Sequence, residues 1–401
     1  MEYRKLKTLA KYPTGKLNSN AAVEDGEYPF FTCAHDIYRI DQYSYDGEYV
    51  LLGGNNASGD FPIFYYNGKF DAYQRTYLIQ PLSEDTDTKY LYYSIGLKLH
   101  QMKANASGTA TKFLTQPILN NINIEYRDIE EQKRIADILS AYDNLIENNN
   151  KRMKLLEQMA ESLYKEWFVR FRFPGYEDVE FVGSSLGKLP STFNILKIGT
   201  VIEYYIGGGW GEEELSELFP EEAYVVRGTD FPNVKYGILD SCPLRYHKSS
   251  NYNQRAFKVN DIAFEVSGGT QKQPVGRSIL ITERQLDRFN NRLICASFCK
   301  LIRCNIKKVS PRYFYHWLQY LYETRIIEQY QLQSTGIINF KFEYFLRKCN
   351  LMIPPKDIMD KFTESVKPIY DEIDNLAEQN SKLIAQRDML LPRLMSGKLE
   401  V

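Results

Sequence analysis

The chain is predicted to be an α+β protein: two α/β globular units joined by two long antiparallel coiled-coil helices, arranged as a pseudo-two-fold internal repeat. Three observations predict it. A helical stripe runs Ile135, Leu139, Tyr142, Ile146, Asn149, Met153, Leu156, Ala160, Leu163, Trp167. A second runs Phe362, Val366, Ile369, Ile373, Leu376, Asn380, Leu383, Arg387, Leu390, Leu394, and 362 − 135 = 227. In both, steps of 4 and 3 alternate without a break, the spacing that keeps one helix face on a partner helix. Each stripe follows a region of short β-like runs, so the repeat covers a globular unit together with its helix.

Residues 1–127 read as strands and turns. EYPFF, EYVLLG, PIFYY and TYLIQP are aromatic or β-branched runs, separated by the turn-like clusters YDGE, GGNNASGD and YNGK. TKYLYYSIGLKLHQMKA (88–104) reads as a helix and NASGTATKF (105–113) as a small-polar loop. Residues 128–174 form the first long helix. Asp128 and Glu131 have capping-box spacing at its start, and Pro174-Gly175 follows its expected end near Phe171. The stretch from Glu130 to Phe168 would span roughly 58 Å.

Residues 175–352 repeat the mixed pattern. AYVVRG, DIAFEVSGG and SILIT read as strands, and SPRYFYHWLQYLYETRIIEQYQ (310–331) as an amphipathic helix. A small-polar loop, QSTGII, follows it as NASGTA follows the helix of the first half, and Ser107 and Ser334 are again 227 apart. Residues 353–401 form the second long helix, opened by Asp357 after Pro354-Pro355. Pro368 is expected to kink or split it, and Pro392 to end it near Leu391. The register of the repeat has an alternative one turn away: DNLIENNNK (143–151) aligns with DNLAEQNSK (374–382) at an offset of 231.

Composition narrows the function. No run of 18 apolar residues exists, so no membrane span is expected, and the first residues, MEYRKLKTLAKYPTGK, lack the apolar core of a signal peptide. A cytoplasmic protein with reduced cysteines is expected. Cys295, Cys299 and Cys304 lie in the strand-like LICASFCKLIRC and read as core, since there is no CxxC pair and the histidines (35, 100, 247, 316) are scattered. The chain holds 50 basic and 51 acidic residues, which counts against nucleic-acid binding by the chain on its own. From Arg288 to Tyr322 there is no acidic residue; this stretch reads first as a solvated basic face.

The catalytic motifs of DNA-modifying enzymes are missing. The one Pro-Pro pair is followed by Lys356 and opens a helix, whereas an adenine methyltransferase needs an aromatic residue there. Neither Gly15-Lys16-Leu17 nor Gly207–Gly211 is a Walker A loop. No cofactor and no metal is expected, and the chain reads as a non-catalytic targeting subunit.

Taken in order, these stretches resemble the specificity subunit of type I restriction-modification systems, the HsdS family. The resemblance rests on IEEQKRIADILSAYDNLIENNNKRMKLLEQMAESLYKEWFVRF (129–171) and IPPKDIMDKFTESVKPIYDEIDNLAEQNSKLIAQRDMLLPRLMSGKLEV (353–401). VVRGTDFPN (225–233), FEVSGGTQKQPVGR (264–277) and QSTGIINFK (333–341) are similar to parts of a target-recognition domain, as are GEYPFFT (26–32), YDGEYVLLGGNNASG (45–59) and GTATKFLT (108–115). One departure is Ile124-Glu125-Tyr126, where the family has Ile-Pro-Pro before the first helix. The resemblance implies that 1–127 and 175–352 are target-recognition domains, each reading one half of a split double-stranded DNA target. The helices would act as the ruler between half-sites. It further implies two docked DNA adenine methyltransferase subunits and added restriction and motor subunits.

The recognition loops are read from residue chemistry. Thr270, Gln271, Lys272 and Gln273, with Ser267-Gly268-Gly269, form the leading candidate for base contact, because Gln suits adenine edges and Lys suits guanine or phosphate. Arg227 and Arg277 are either phosphate clamps or structural ion pairs. Arg245, His247 and Lys248 form a basic cluster suited to phosphate. In the first domain Asn55, Asn56, Ser58 and Lys112 occupy corresponding loops. Gly207–Gly211 is either a plain turn or a close approach to a phosphate. Asn149 and Asn380 read as polar seam residues that set register. Two other functions stay open here: a stand-alone nuclease or methyltransferase, and a structural scaffold with two protein- or sugar-binding domains.

Overall fold

A computed structural model of the chain describes residues 2–106, 108, 111–238, 241–270, 273–334 and 337–401, with the backbone alone at 333 and 334. The chain divides into two compact units, Met1–Glu147 with Lys382–Val401, and Asn148–Ser381. Each long helix contributes to both.

In unit 1 the strands are β1 (Glu2–Lys5), β2 (Ala10–Lys11), β3 (Tyr28–Phe31), β4 (Tyr38–Ile40), β5 (Tyr45–Gly53), β6 (Asn55–Asn56), β7 (Ile63–Ala72), β8 (Thr76–Pro81), β9 (Lys112–Phe113) and β10 (Asn123–Tyr126). Six of them form a sheet in the order β2-β8-β5-β7-β3-β4, and β3 runs parallel to the end of β7. β5 is central and buried on both faces. Val50 and Leu52 face the core made with Tyr90, Leu91 and Ile95, while Leu51 packs with Phe31, Phe70 and Leu78 on the other side. Alternate residues of a strand point to opposite faces, so a strand covered on both sides reads as a continuous apolar run.

Two expected turns are not turns. YDGE and YNGK lie inside β5 and β7, and Gly47 pairs with Gly68. Both glycines have positive φ, +125° and +142°, a conformation that side chains rarely adopt. The expected helix at 88–104 is broken into Thr88–Gly96 and Leu99–Asn105. Asp87 caps the first piece by accepting from the Tyr90 amide at 2.8 Å. The buried Gln132 side chain on the first long helix accepts from the Asp87 amide at 2.9 Å and holds that cap in place.

Unit 2 holds β11 (Phe181–Ser184), β12 (Gly187–Pro190), β13 (Asn194–Lys197), β14 (Ile202–Gly207), β15 (Glu221–Val226), β16 (Leu244–His247), β17 (Ile262–Glu265), β18 (Ser267–Gly269), β19 (Ser278–Leu280), β20 (Leu293–Cys295), β21 (Cys299–Cys304), β22 (Gln331–Ser334), β23 (Ile337–Phe340) and β24 (Asn350–Ile353). Two sheets run β14-β21-β17-β19 and β16-β15-β20. This is the strand order of unit 1, with the work of β7 divided. β19 pairs with the central strand β17, β20 pairs parallel to β15, and the helix Glu283–Arg288 lies between them in sequence. The same alternation recurs on β17, where Ile262 and Phe264 enter one core and Ala263 the other.

Further pairs repeat. β1 with β10 and β13 with β24 are antiparallel ladders, each leading into a long helix. β6 with β9 corresponds to β18 with β23. The internal repeat is therefore one of topology. The loop residues Ser107, Thr109, Ala110, Thr335 and Gly336 lie outside the described residues. The expected helix at 310–331 ends at Glu323, because Arg325 turns left-handed (φ +62°) and a 3-10 segment, Ile326–Tyr330, follows.

The long helices span Ile129–Tyr164 and Lys356–Met395. Asp128 accepts from the Glu131 amide at 2.9 Å, while the Glu131 carboxylate pairs with Arg127 and does not close the box. The second helix runs unbroken through Pro368, against expectation, and ends at Met395, past Leu391. Val366 and Ile373, on either side of Pro368, are buried in unit 2 and hold the helix where the proline removes a backbone bond. Every stripe residue is buried or half-buried. In unit 1 Arg387 pairs with Asp143 at 2.6 Å, and Arg127 donates to the Met395 carbonyl at 3.1 Å. In unit 2 Met153 packs with Ile373, Leu376 and Ala377. There Asn149 donates to Asn380 Oδ1 at 3.0 Å, and Asn380 donates to Asn150 at 2.9 Å. In both units partner numbers rise as helix numbers fall, so the helices are antiparallel. The seam polar pair is satisfied, which is what lets it specify register at small cost. Among the described residues no helix is long and apolar enough to cross a membrane.

Candidate nucleic-acid interface

Unit 2 has a cleft of about 550 Å³ lined by Trp210, Arg227, Gly228, Thr229, Glu265, Ser267, Gly268, Gln273, Arg277, Ala296, Ser297 and Phe298. It collects the segments after β14 and after β15, the end of β17 with β18 and the β18–β19 connection, and the β20–β21 connection. Three motifs far apart in sequence thus meet: GGGWG, VVRGTD and SGGTQKQ. Beyond β18 the Thr270 amide donates to the Gln273 carbonyl at 2.8 Å and the Gln273 amide to Thr270 Oγ1 at 3.1 Å. Gln271 and Lys272 lie outside the described residues.

Arg227 and Arg277 both form structural ion pairs. Arg277 Nε and Nη2 donate to Glu265 at 2.9 and 2.7 Å, and Glu265 is 4% exposed. Gly228 lets the backbone pass this pair, since a Cβ there would sit 2.1 Å from Glu265 Oε1. Arg227 donates through Nε and Nη2 to Asp230, both at 2.9 Å, and to the Ser241 carbonyl at 2.6 Å.

Burial pushes the Asp230 carboxyl up, but hydrogen bonds from the Arg227 side chain and amide outweigh it and leave the group below its usual value. A carboxylate lowered on folding adds stability above its unfolded pKa and loses it as pH falls through the folded one. Asp230→Asn is therefore expected to flatten the acid side of the stability curve, below about pH 4. Urea melts at a series of pH values would show it; an unchanged acid slope would contradict the ion-pair account.

Each member of the basic run Arg245, His247 and Lys248 has surroundings of its own. Arg245 pairs with Glu213 at 2.8 Å, its guanidinium carbon 5.2 Å from the Trp210 ring centroid. Lys248 sits 5.5 Å over the Phe219 ring, and His247 is buried, its pKa lowered by burial and by Arg255. His247 is thus withdrawn from any phosphate. The acid-free stretch from Arg288 is largely spent on structure: Arg303 donates twice to the buried Asp261 at 2.7 and 2.6 Å, and Arg288 donates to the Tyr236 and Asp374 carbonyls. Among the described residues the cysteines are free; Cys33 is half-buried, the other five are buried, and no group that could hold a metal ion occurs.

Unit 1 has a cleft of about 420 Å³ lined by Ser19, Thr32, Cys33, Ala34, Tyr38, Asn55 and Tyr73. These residues follow β2, β3, β5 and β7, the counterparts of β14, β15, β17 and β20. Asn55 carries a buried Oδ1 with no partner among the described residues, an acceptor held in reserve. Asn56 is spent on the loop: its Oδ1 accepts from the Ser58 amide and hydroxyl at 2.9 and 2.7 Å. Lys112 stands opposite Asn56 in the β6–β9 pair.

Sequence reasoning missed Trp210 and Phe298. The GGGWG run drew notice for its glycines, and Phe298 was hidden in LICASFCKLIRC, read as one strand. The structure breaks that run at Ala296–Phe298, between β20 and β21, leaving Phe298 60% exposed. The small pair Ala296-Ser297 was the available signal.

Comparison with known proteins places this geometry in a family. Residues 1–158 match the family model described as the type I restriction modification DNA specificity domain. The chain is 30% identical over 214 residues to the specificity subunit of the type I restriction enzyme EcoDI of Escherichia coli, covering 49% of this chain and 47% of that one, so it spans about half of that relative's length. It is 33% identical over 333 residues to the MjaVIII specificity subunit of Methanocaldococcus jannaschii, covering 79% of this chain and 71% of the relative. The solved S subunit of a type I restriction-modification system from M. genitalium has a TM-score of 0.55 and 15% identity over 98% of this chain and 95% of that one, a likeness of fold. With 33% identity across an alignment that covers 71% of that relative, the chain belongs to the family of type I restriction enzyme specificity subunits.

Proposed function

We propose that this chain is the non-catalytic DNA-binding subunit of a type I restriction-modification complex and reads a bipartite target. Residues 1–127 and 175–352 would each read one half-site, and the helices in 128–174 and 353–401 would fix the spacer. The observation that carries the reading is the duplicated cleft: two units of one strand order, each gathering corresponding loops around a concave site. The relatives' names supply the class. Two adenine methyltransferase subunits would dock on the chain, with restriction and motor subunits joining them, in the cytoplasm where the DNA is. The near balance of 50 basic and 51 acidic residues fits a subunit whose partners supply much of the positive surface.

Base contacts are assigned to Asn55 in unit 1 and to Thr270, Gln271, Lys272 and Gln273 in unit 2, with supporting backbone contacts from Lys112, Arg245 and Lys248. Asn56 and Ser58 shape the first loop; Arg227 and Arg277 hold the second cleft in shape. Methylome sequencing with and without the gene tests the class. A split adenine-methylated motif should vanish on deletion, and the purified chain with S-adenosylmethionine and DNA should transfer no methyl group. In the assembled complex, Gln271→Ala with Gln273→Ala should relax one half-site, each lost contact costing about 1–3 kcal/mol of discrimination. Degradation of both half-sites together would refute one domain per half-site.

A further inference from the structure

We infer that the unit 2 cleft receives a nucleobase turned out of the duplex stack, set against Trp210 and Phe298, and not a phosphate. The inference rests on the DNA-reading function proposed above and names what one of its clefts holds.

Charge excludes the phosphate. The two guanidinium groups on the cleft wall are each held by a carboxylate through two hydrogen bonds. One of those carboxylates, Glu265, itself lines the cleft, so a phosphate there would meet a negative group whose countercharge is already committed.

Shape and surface favour a flat ring. Trp210 and Phe298 are 42% and 60% exposed, and both line the same concavity. The Arg245 guanidinium beside the Trp210 ring restrains it. Base–aromatic stacking accepts any base, because every base has a π-face. Selectivity would come from the polar rim. The Arg277–Glu265 pair lines the cleft with polar groups, and Gln273 stands exposed beside it. A base still in the duplex has its faces covered by its neighbours, so a base set face-on against these rings must be unstacked.

The test uses the chain assembled with its methyltransferase subunits, on duplexes carrying the methylome-defined target. Each pair of the half-site read by unit 2 is replaced in turn by a mispair that keeps the base on one strand, then on the other. Mispairing lowers the cost of extruding a base. One position is expected at which a mispair tightens binding several-fold. Trp210→Ala and Phe298→Ala, both at exposed positions and expected to fold normally by melting, should abolish that gain. Each should weaken binding roughly five- to 150-fold, the range of a lost base–aromatic stack. For Phe298→Ala the slope of affinity against salt should stay unchanged, because no phosphate contact is touched. The inference is overturned if no mispair tightens binding, if either variant leaves affinity and base preference intact, or if Phe298→Ala lowers the salt slope. Competition by free deoxynucleosides without any mispair effect would also overturn it, by assigning the cleft to a soluble ligand. A complex that binds no DNA sequence selectively is a different result: it removes the proposed function itself.

Discussion

Phe362→Ala is expected to destabilise unit 2 by about 3–5 kcal/mol, the cost of deleting a fully buried aromatic ring. Phe362 is 0% exposed and sits among the rings of Tyr164, Trp167, Phe168 and His316, with centroids 6.0, 5.9, 5.1 and 5.3 Å away. Those neighbours come from the end of the first long helix and from the helix Pro311–Glu323. His316 is buried, and burial first, then Arg312, lowers its pKa to about 3; it stays neutral and makes one bond, with the Tyr370 hydroxyl at 3.0 Å. Leu155→Ala, at a position 59% exposed on the first long helix, is the control and should shift stability by less than about 0.5 kcal/mol. Denaturant unfolding of the two variants decides the matter, and equal midpoints would mean that the aromatic cluster does not hold the helices to the domain.

Arg277→Met should cost about 3–5 kcal/mol, since removing one partner leaves the other as an uncompensated buried charge. Glu265 is 4% exposed, and both its oxygens accept from Arg277. Pairing Arg277→Met with Glu265→Gln should recover much of the loss, because the stranded charge is then gone. A double-mutant cycle measures this. If the double variant is as unstable as the sum of the singles, the pair is not coupled and the rigid cleft wall argued above falls with it.

These two predictions differ in how far they were legible before the fold was known. Phe362 and Trp167 lie on the stripes, because a helix repeats its faces every few residues whatever surrounds it. The coiled-coil pairing and the two globular units follow from that local periodicity and from the repeat, and the family from the resemblance of the stretches that carry them. Asn149 and Asn380 were legible as seam residues for the same reason. The strands were legible too, TYLIQP to the residue as β8.

The glycines were misread because local chemistry is ambiguous there. Asp-Gly and Asn-Gly signal a positive φ, which serves a turn or a strand position equally well. The pairing of Gly47 with Gly68 chose the second. Pro368 does not split its helix, for a related reason: the effect of losing one helical bond is decided by how firmly the neighbouring side chains are packed, and Val366 and Ile373 are buried. Arg227 and Arg277 stayed undecided because a cation's role depends on what lies beside it. For Arg277 that is a glutamate twelve residues away across the β17–β19 pairing.

By itself, then, the sequence determined the helices, their seam, the duplication and the absence of recognisable catalytic motifs, all of which are written in spacing along the chain. Only the tertiary structure decided where the clefts lie and what charge they carry. Trp210, Glu265 and Phe298 are far apart in the chain and become neighbours through strand order, and the charge left facing the cleft depends on pairings that no local pattern records.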